Sequence, residues 1–277
     1  MDYRKRKQII IVSILTVFLI LILAWVYFGF IKKPSTCFDN KQNQGESGID
    51  CGSPCAMSCE RLTIKDVQVE WAQAVELKDS HYDLAAKIVN PNPNYGLSLM
   101  RYTFKVFDES GAVLFEQKGK DFILPGESKY LVEGNVALTA VPAKVMLIID
   151  KVDKEEWLNL SQDYQEPEIY VHDKLVQPLP DNKEGAQASG IIKNNSNYDF
   201  DRILVAIVLF DENDKIIGVN KTEARTVLAG EDRYFSAFWF SPLGGQIKSV
   251  EMKIDTNLFA NDNFMLRYGT SEKFQEY

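Results

Sequence analysis

Only two histidines occur in 277 residues, His81 and His172, and they fall in separate halves of the chain. Chemistry that relies on imidazole, as general base or metal ligand, has little to work with. The sequence has no H-E-x-x-H, no G-x-S-x-G nucleophile elbow, no phosphate-binding glycine loop and no G-x-G-x-x-G. Zinc proteases, α/β-hydrolases, nucleotide hydrolases and dinucleotide enzymes thereby lose their usual signatures. His81 in KDSHYD reads as a turn residue and His172 in IYVHDKLV as a half-buried strand residue. No catalytic residue is visible, and the chain is expected not to be an enzyme. Cysteine is absent after residue 59. Basic residues are scarce beyond the first 33 positions, which hold six basic side chains and one acid; residues 34–277 keep 25 basic against 38 acidic groups, a net charge of −13. Binding nucleic acid through its phosphates needs clustered Lys and Arg, so this balance excludes it. A content of 45% hydrophobic and 12% aromatic residues excludes disorder as the main state.

What is present begins with concentrated apolarity. Residues 9–31, IIIVSILTVFLILILAWVYFGFI, carry no charge. At about 1.5 Å per residue they make roughly 34 Å of helix, enough to cross a hydrocarbon core of about 30 Å with some tilt. A cleaved signal peptide has an apolar region of about 7–15 residues and a small-x-small site, whereas this stretch is longer and ends among Trp25, Tyr27, Phe28 and Phe30. It reads as an uncleaved anchor whose partner is the lipid bilayer. Arg4 to Lys7 precede it, against Lys32 and Lys33 after it, so the positive-inside bias places residues 1–8 in the cytoplasm and the rest outside the cell membrane.

Cys37, Cys51, Cys55 and Cys59 crowd into one short segment, CFDNKQNQGESGIDCGSPCAMSC. In an extracytoplasmic compartment an even, clustered set implies two disulfides stapling a stalk, residues 34–60, too polar to hold itself by apolar burial. Three pairings are open. Zinc is the weaker alternative, because the C-x13-C-x3-C-x3-C spacing lacks paired C-x2-C knuckles. Asp39, Asn43, Glu46 and Asp50 offer hard oxygen ligands for a calcium ion, although the spacing does not fit an EF-hand. The competing reading is Asx turns in a solvated loop. The segment resembles a small cysteine motif of secreted and surface proteins, C-x-D-G-x-x-N-G-x-E-x-x-x-D-C-G-G-x-C. Asn40 and Gln44 stand where that motif has glycine, and Ser53 replaces its second C-G-G glycine.

The remainder repeats itself. Asp108 and Asp211 are 103 apart, Gly126 and Gly230 are 104 apart, and Asp150 and Asp255 are 105 apart. Each copy has a strand ending in Asn (Asn90, Asn194), a turn, a strand ending in Phe-Asp-Glu, a hairpin, another strand, a Leu-x-Gly-Glu turn and further strands. Period-two patterning places Tyr102, Phe104 and Val106 on one face, with Val205, Ile207 and Leu209 matching them. Ala206, Val208 and Phe210 make the opposite face of the second strand apolar too, which marks it as central. Pro91 and Pro93 belong in a connection at a sheet end. Strands recurring about every 10 residues indicate an all-β fold, two tandem immunoglobulin-like β-sandwiches after one N-terminal transmembrane helix.

These residues also carry a resemblance. VAIVLFD at 205–211, with GIIKN before it and TVLAGE after it, resembles the FxLYD domain, a bacterial extracytoplasmic β-sandwich, with Leu-Phe-Asp in place of Leu-Tyr-Asp. YDLAAKIVNPNP, the later LSLMRYTFKVFD and FILPGE resemble both that domain and the related LEA14 or water-stress sandwich. The resemblance implies the fold and no catalytic residue.

The expected organisation is a first sandwich at 62–160, a linker at 161–167, a second sandwich at 168–257 and a tail at 258–277 that adds an edge strand or hangs free. The two sandwiches are expected to be separate folding units, with Trp157 packed on the first. The expected function is a membrane-anchored extracytoplasmic binding or scaffolding protein of the cell envelope, its partner an envelope protein or polymer. The alternatives are a subunit of an enzyme with a site on sandwich loops, or a stress-protective LEA-like protein. Asn194 and Asn220 match glycosylation sequons.

Overall fold

The computed structural model describes residues 3–28, 36–55, 57–160, 163–179 and 185–269. Residues 29–31 of the expected span, Lys32 and Lys33, part of the linker (161–162) and the end of the tail (270–277) lie outside the described residues.

Tyr3–Val26 forms helix α1. Its large apolar side chains from Ile9 onward stand exposed around the whole circumference, so no protein face absorbs them. The Thr16 hydroxyl donates to the Val12 carbonyl at 2.8 Å, which satisfies that polar group without water. The helix is long and apolar enough to cross a membrane. The cysteine segment ends in the short helix α2, Cys59–Leu62, whose N-terminus is capped by Ser58.

From residue 64 the chain is almost entirely antiparallel sheet. The first copy supplies β1 (Gln68–Glu76), β2 (His81–Val89), β3 (Tyr95–Phe107), β4 (Val113–Ile123), β5 (Ser128–Ala137), β6 (Lys144–Ile149) and the short β7 (Leu158–Asn159). The second supplies β8 (Ile169–Pro178), β9 (Ala186–Asn194), β10 (Phe200–Phe210), β11 (Ile216–Val227), β12 (Asp232–Trp239) and β13 (Ser249–Asp255). Sheets β1-β2-β5 and β4-β3-β6 make one sandwich, and sheets β8-β9-β12 and β11-β10-β13 make the other. The strand plan is the same in both, as the repeat requires. Tyr102, Phe104 and Val106 lie buried in the first core and Val205, Ile207 and Leu209 in the second, the alternation expected of a strand. Trp157 is buried in the first core.

The second, apolar face of β10 has its own explanation. Ala206 and Val208, with Val219 of β11, pack against Val75, Ala85, Tyr130 and Val132 on the outer face of β1-β2-β5. The two sandwiches therefore stack face to face, sheet on sheet, and residues 64–277 form one compact unit. Trp71 and Tyr130 close this layer with ring centroids 5.8 Å apart, and the Tyr130 hydroxyl donates to Glu251 Oε2 at 2.7 Å.

The described part of the tail neither adds an edge strand nor hangs free. Leu258–Ala260 makes a 3-10 turn and Asp262–Tyr268 forms α3. Leu258, Phe259, Phe264, Met265 and Tyr268 are buried in the second core, so that sandwich reaches beyond residue 257. Linker residue Tyr164 meets Phe264 and Tyr268 edge-on, at 5.8 and 6.2 Å.

Phe104→Ala removes a fully buried ring, and the loss should cost about 3–5 kcal/mol. Lys105 points the other way and pairs with Glu116 at 3.1 Å near the surface, so Lys105→Ala should cost at most about 1 kcal/mol. With an apolar layer shared between the sandwiches, calorimetry should show one transition for residues 64–277, moved as a whole by Phe104→Ala. Two well-separated transitions would show that the shared layer contributes little.

Candidate functional site

The cysteine loop is pinned by interleaved disulfides, Cys37–Cys55 and Cys51–Cys59, one of the three pairings left open by sequence. All four sulfurs are thereby oxidised, so Cys37 and Cys55, which lie close to Glu46, present no thiolate to a metal. Gly48 covers the second bridge so closely that a Cβ there would fall 2.8 and 2.9 Å from the two sulfurs; only glycine fits.

The four oxygen-bearing residues do come together. Asp50 accepts the backbone N–H of Asp39 at 3.0 Å and of Asn40 at 2.8 Å. Asp39 accepts the Lys41 N–H at 3.0 Å and the Asn43 amide at 2.9 Å, bonds that hold its carboxyl below the usual range, the Asn43 bond foremost. Glu46, buried, accepts the Asn43 N–H at 3.1 Å. Each carboxylate thus closes a backbone turn, and Asn40, Gln44 and Asp50 hold positive φ within it. The oxygens left for calcium are the remaining lone pairs and Asn43 Oδ1, which is buried without a hydrogen-bond partner.

The carboxylates of the repeat are turn formers as well. Asp108 Oδ1 accepts the Ala112 N–H at 2.9 Å and the Ser110 hydroxyl at 2.6 Å, and Asp211 Oδ1 accepts the N–H of Asn213 and Lys215 at 2.8 and 2.9 Å. His81, the first residue of β2, has its Nδ1 3.0 Å from the Asp79 carbonyl of the preceding turn, and His172 Nδ1 lies 3.1 Å from Asp173 Oδ2 on β8. Asn194 is fully buried with its amide bonded to the Tyr198 and Leu228 carbonyls, so this sequon is closed in the folded protein.

The strongest concentration of unusual ionisation lies where the sandwiches meet. Lys129, at the start of β5, is 1% exposed. Its ammonium reaches Asp121 at 3.1 Å, Asp255 of the second sandwich at 2.7 Å and the Phe122 carbonyl at 3.1 Å, and it sits 3.7 Å from the Phe122 ring centroid. Burial alone would lower its pKa, but Asp255, Asp121 and Glu127 overcome that and raise it. Burial also raises Asp255 against the pull of Lys129, and Asp255 Oδ1 has no hydrogen-bond partner. Glu127, ringed by protein and facing Lys129, Asp255 and Glu166, is pushed up to about 7, chiefly by burial. It borders a cavity of 310 Å³ shared with Leu124, Glu166, Ile169, Met252 and Leu258. One ammonium faces more than one carboxylate here, and burial raises both Glu127 and Asp255. Sequence reading passed over this cluster because Lys129 and Asp255 are far apart in the chain; the signal available was a lone Lys in the apolar run SKYLV.

No family model and no curated protein matches the chain. Among solved structures, red sea bream transglutaminase aligns at 9% identity with a TM-score of 0.21, over 70% of this chain and 29% of its own. The tandem CBM22-1–CBM22-2 domain from Paenibacillus barcinonensis Xyn10C aligns at 8% identity with a TM-score of 0.16, over 73% of this chain and 88% of its own. At such scores neither likeness carries an argument about function.

Two outcomes follow. Since the loop carboxylates already close its turns, hydrogen exchange at the N–H groups of Asp39, Asn40, Lys41 and Asn43 should stay slow in the presence of a calcium chelator; loss of protection would show an ion holding the loop. Glu127 ionises near 4.5 when unfolded and near 7 when folded, so the native state binds a proton that the unfolded chain releases. Stability is then greatest at the acid end of that window and declines as pH rises through about 7, with Asp255 acting in the same sense. The melting temperature should drop by a few degrees from pH 5 to pH 7.5, and Glu127→Gln, which keeps the neutral form and the bond to the Leu124 N–H, should flatten that slope.

Proposed function

We propose that the chain is a membrane-anchored, extracytoplasmic binding or scaffolding protein of the cell envelope, without catalysis of its own. The observation that carries this reading is α1, whose large apolar side chains stand exposed on every side among the described residues, ahead of a segment closed by two disulfides. The first belongs in lipid and the second in an oxidising compartment. Basic residues Arg4 to Lys7 favour a cytoplasmic N-terminus. The sandwiches are read as FxLYD- or LEA14-type immunoglobulin-like modules, supported by the strand plan common to both copies. The carboxylates and amides of the repeat close turns and hold strands, which supports positioning rather than chemistry.

A periplasmic-type reporter fused after Tyr277 should be active and a cytoplasmic one silent; the converse would overturn the orientation. Crosslinking in intact cells should then trap the ectodomain in discrete species with envelope material, and an ectodomain that crosslinks to nothing would overturn the binding reading.

A further inference from the structure

The internal repeat provides a control for one exposed surface. In the first sandwich the outer face of β1-β2-β5 is covered by the second sandwich; Ala85 pairs there with Val132, Gly134 follows along β5, and Trp71 and Tyr130 close the layer. In the second sandwich the corresponding face, on β8-β9-β12, is covered by no other sheet among the described residues. There the matching pair is Ser189 with Ser236, and the position of Gly134 is taken by Phe238. At these three positions the second copy carries hydroxyls and a projecting ring, whereas Tyr130 and Tyr234 keep the same residue in both copies.

Aromatic rings are what it displays. Tyr234 is 61% exposed, Phe238 40%, Phe240 74% and Tyr170 45%, and the Phe238 and Phe240 rings stack with centroids 6.0 Å apart. Between them runs a line of polar groups, with the Gln177 amide 3.5 Å from Gln187 Oε1 and the Gln187 amide 3.3 Å from the Tyr234 hydroxyl. The chain around this surface is strongly acidic, yet the face is close to neutral. Lys193 is matched by Asp232 at 3.1 Å, and the aromatic and amide side chains carry no charge. Flat rings beside uncharged donors and acceptors complement a ligand with apolar C–H faces and a rim of hydroxyls. Leu175, 50% exposed, and half-buried Ile191 add apolar surface beside the rings, and an anionic polymer would need cations that the face does not offer in excess.

We infer that the outer face of β8-β9-β12 binds a neutral polysaccharide, with sugar rings stacked on Tyr234, Phe238 and Phe240 and hydroxyls bonded to Gln177 and Gln187. The platform from Tyr234 to Phe238 covers about 14 Å of strand, longer than one sugar ring, so the ligand is a chain rather than a monosaccharide. This rests on the binding reading above and names its site and ligand class.

The test is co-sedimentation of the full chain, in detergent micelles, with insoluble cellulose, chitin and mannan, and with chitosan as a cationic control. Retention on at least one neutral polysaccharide is expected, insensitive to salt, and weakened about tenfold or more in Tyr234→Ala/Phe238→Ala. Lys105→Ala, on the outer face of the opposite outermost sheet, should bind as the wild type does. Both side chains are surface residues, and an unchanged melting temperature in the double variant would confirm that the fold is intact. No retention on any neutral polysaccharide, retention undiminished in the double variant, or salt-sensitive retention on chitosan alone overturns the inference. So does a dimer of the full chain that the double variant abolishes, which would assign the face to a second copy. If the double variant keeps the crosslinked species seen in intact cells, only the aromatic face is wrong; if the wild type forms none, the binding reading itself fails.

Discussion

Lys129 Nζ lies out of water between Asp121 and Asp255, and an ammonium so placed is tolerable only while both carboxylates stay beside it. Asp121 comes from the end of β4 and Asp255 from the end of β13, so one charge ties both sandwiches together. Replacing Asp255 would remove the closest of these carboxylates and leave the ammonium with Asp121 and Glu127 of its own sandwich. The aliphatic layer of Val75, Ala85, Val132, Ala206, Val208 and Val219 joins the same two sandwiches and supplies attraction without direction. The ion pair supplies direction. Tyr130 to Glu251, and the Lys221 ammonium to the Val132 carbonyl at 2.6 Å, restrict the sheets further. The linker and the C-terminal helix are drawn into the same assembly, since Tyr164 packs on α3 and Glu166 borders the cavity beside Glu127.

A second device is repeated within each sandwich. Asn90, fully buried, donates its amide to the Tyr95 and Leu124 carbonyls at 2.6 and 2.8 Å, and Asn194 does the same to Tyr198 and Leu228 at 2.7 and 2.9 Å. The glutamates of the Leu-x-Gly-Glu turns accept the N–H of Leu124 and Leu228, at 2.7 and 2.8 Å. Gly126 and Gly230 provide the positive φ that these turns need. Each Asn therefore closes the end of one sheet onto the turn leading into the other, with its buried polar atoms satisfied. Such a lock explains why these residues recur at a fixed spacing without any need for catalysis.

Much of this was open to reading in the chain itself. The run from Ile9 to Ile31, the two turns flanked by period-two strands, and the Asn and Leu-x-Gly-Glu signals are local patterns, and local patterns dictate strands, turns and an apolar helix through backbone geometry and alternation. The apolar opposite face of β10 was visible as well, and with it the burial of that strand on both sides. The covering partner was not visible, because Ala206 and Val208 state only that something packs there. The fate of residues 258–268 was equally hidden: Phe259, Phe264 and Tyr268 have no strand or helix period long enough to decide, and only the open side of the second core gives them a place. In the cysteine loop the residues were identifiable and their bonding was not, since the pairing of four cysteines depends on how the chain folds back on itself.

The repeat shows where sequence stops and tertiary structure begins. Lys129 and Arg233 occupy matching positions, as do Glu127 and Glu231, and as residues they announce the same turn-flanking charge. Arg233 stays 40% exposed and pairs with its neighbour Glu231 at the surface, while Lys129 is buried against an aspartate from the other sandwich. Tyr130 and Tyr234 likewise match, one enclosed between sheets and the other open to solvent. Sequence by itself determined the apolar helix, the strands, the turns and the inward faces, because those follow from interactions between residues near one another in the chain. Which outer face is covered and which stays open, and which charge is stripped of water, was decided by the stacking of the two copies, because desolvation depends on everything that packs around a group and not on the group alone.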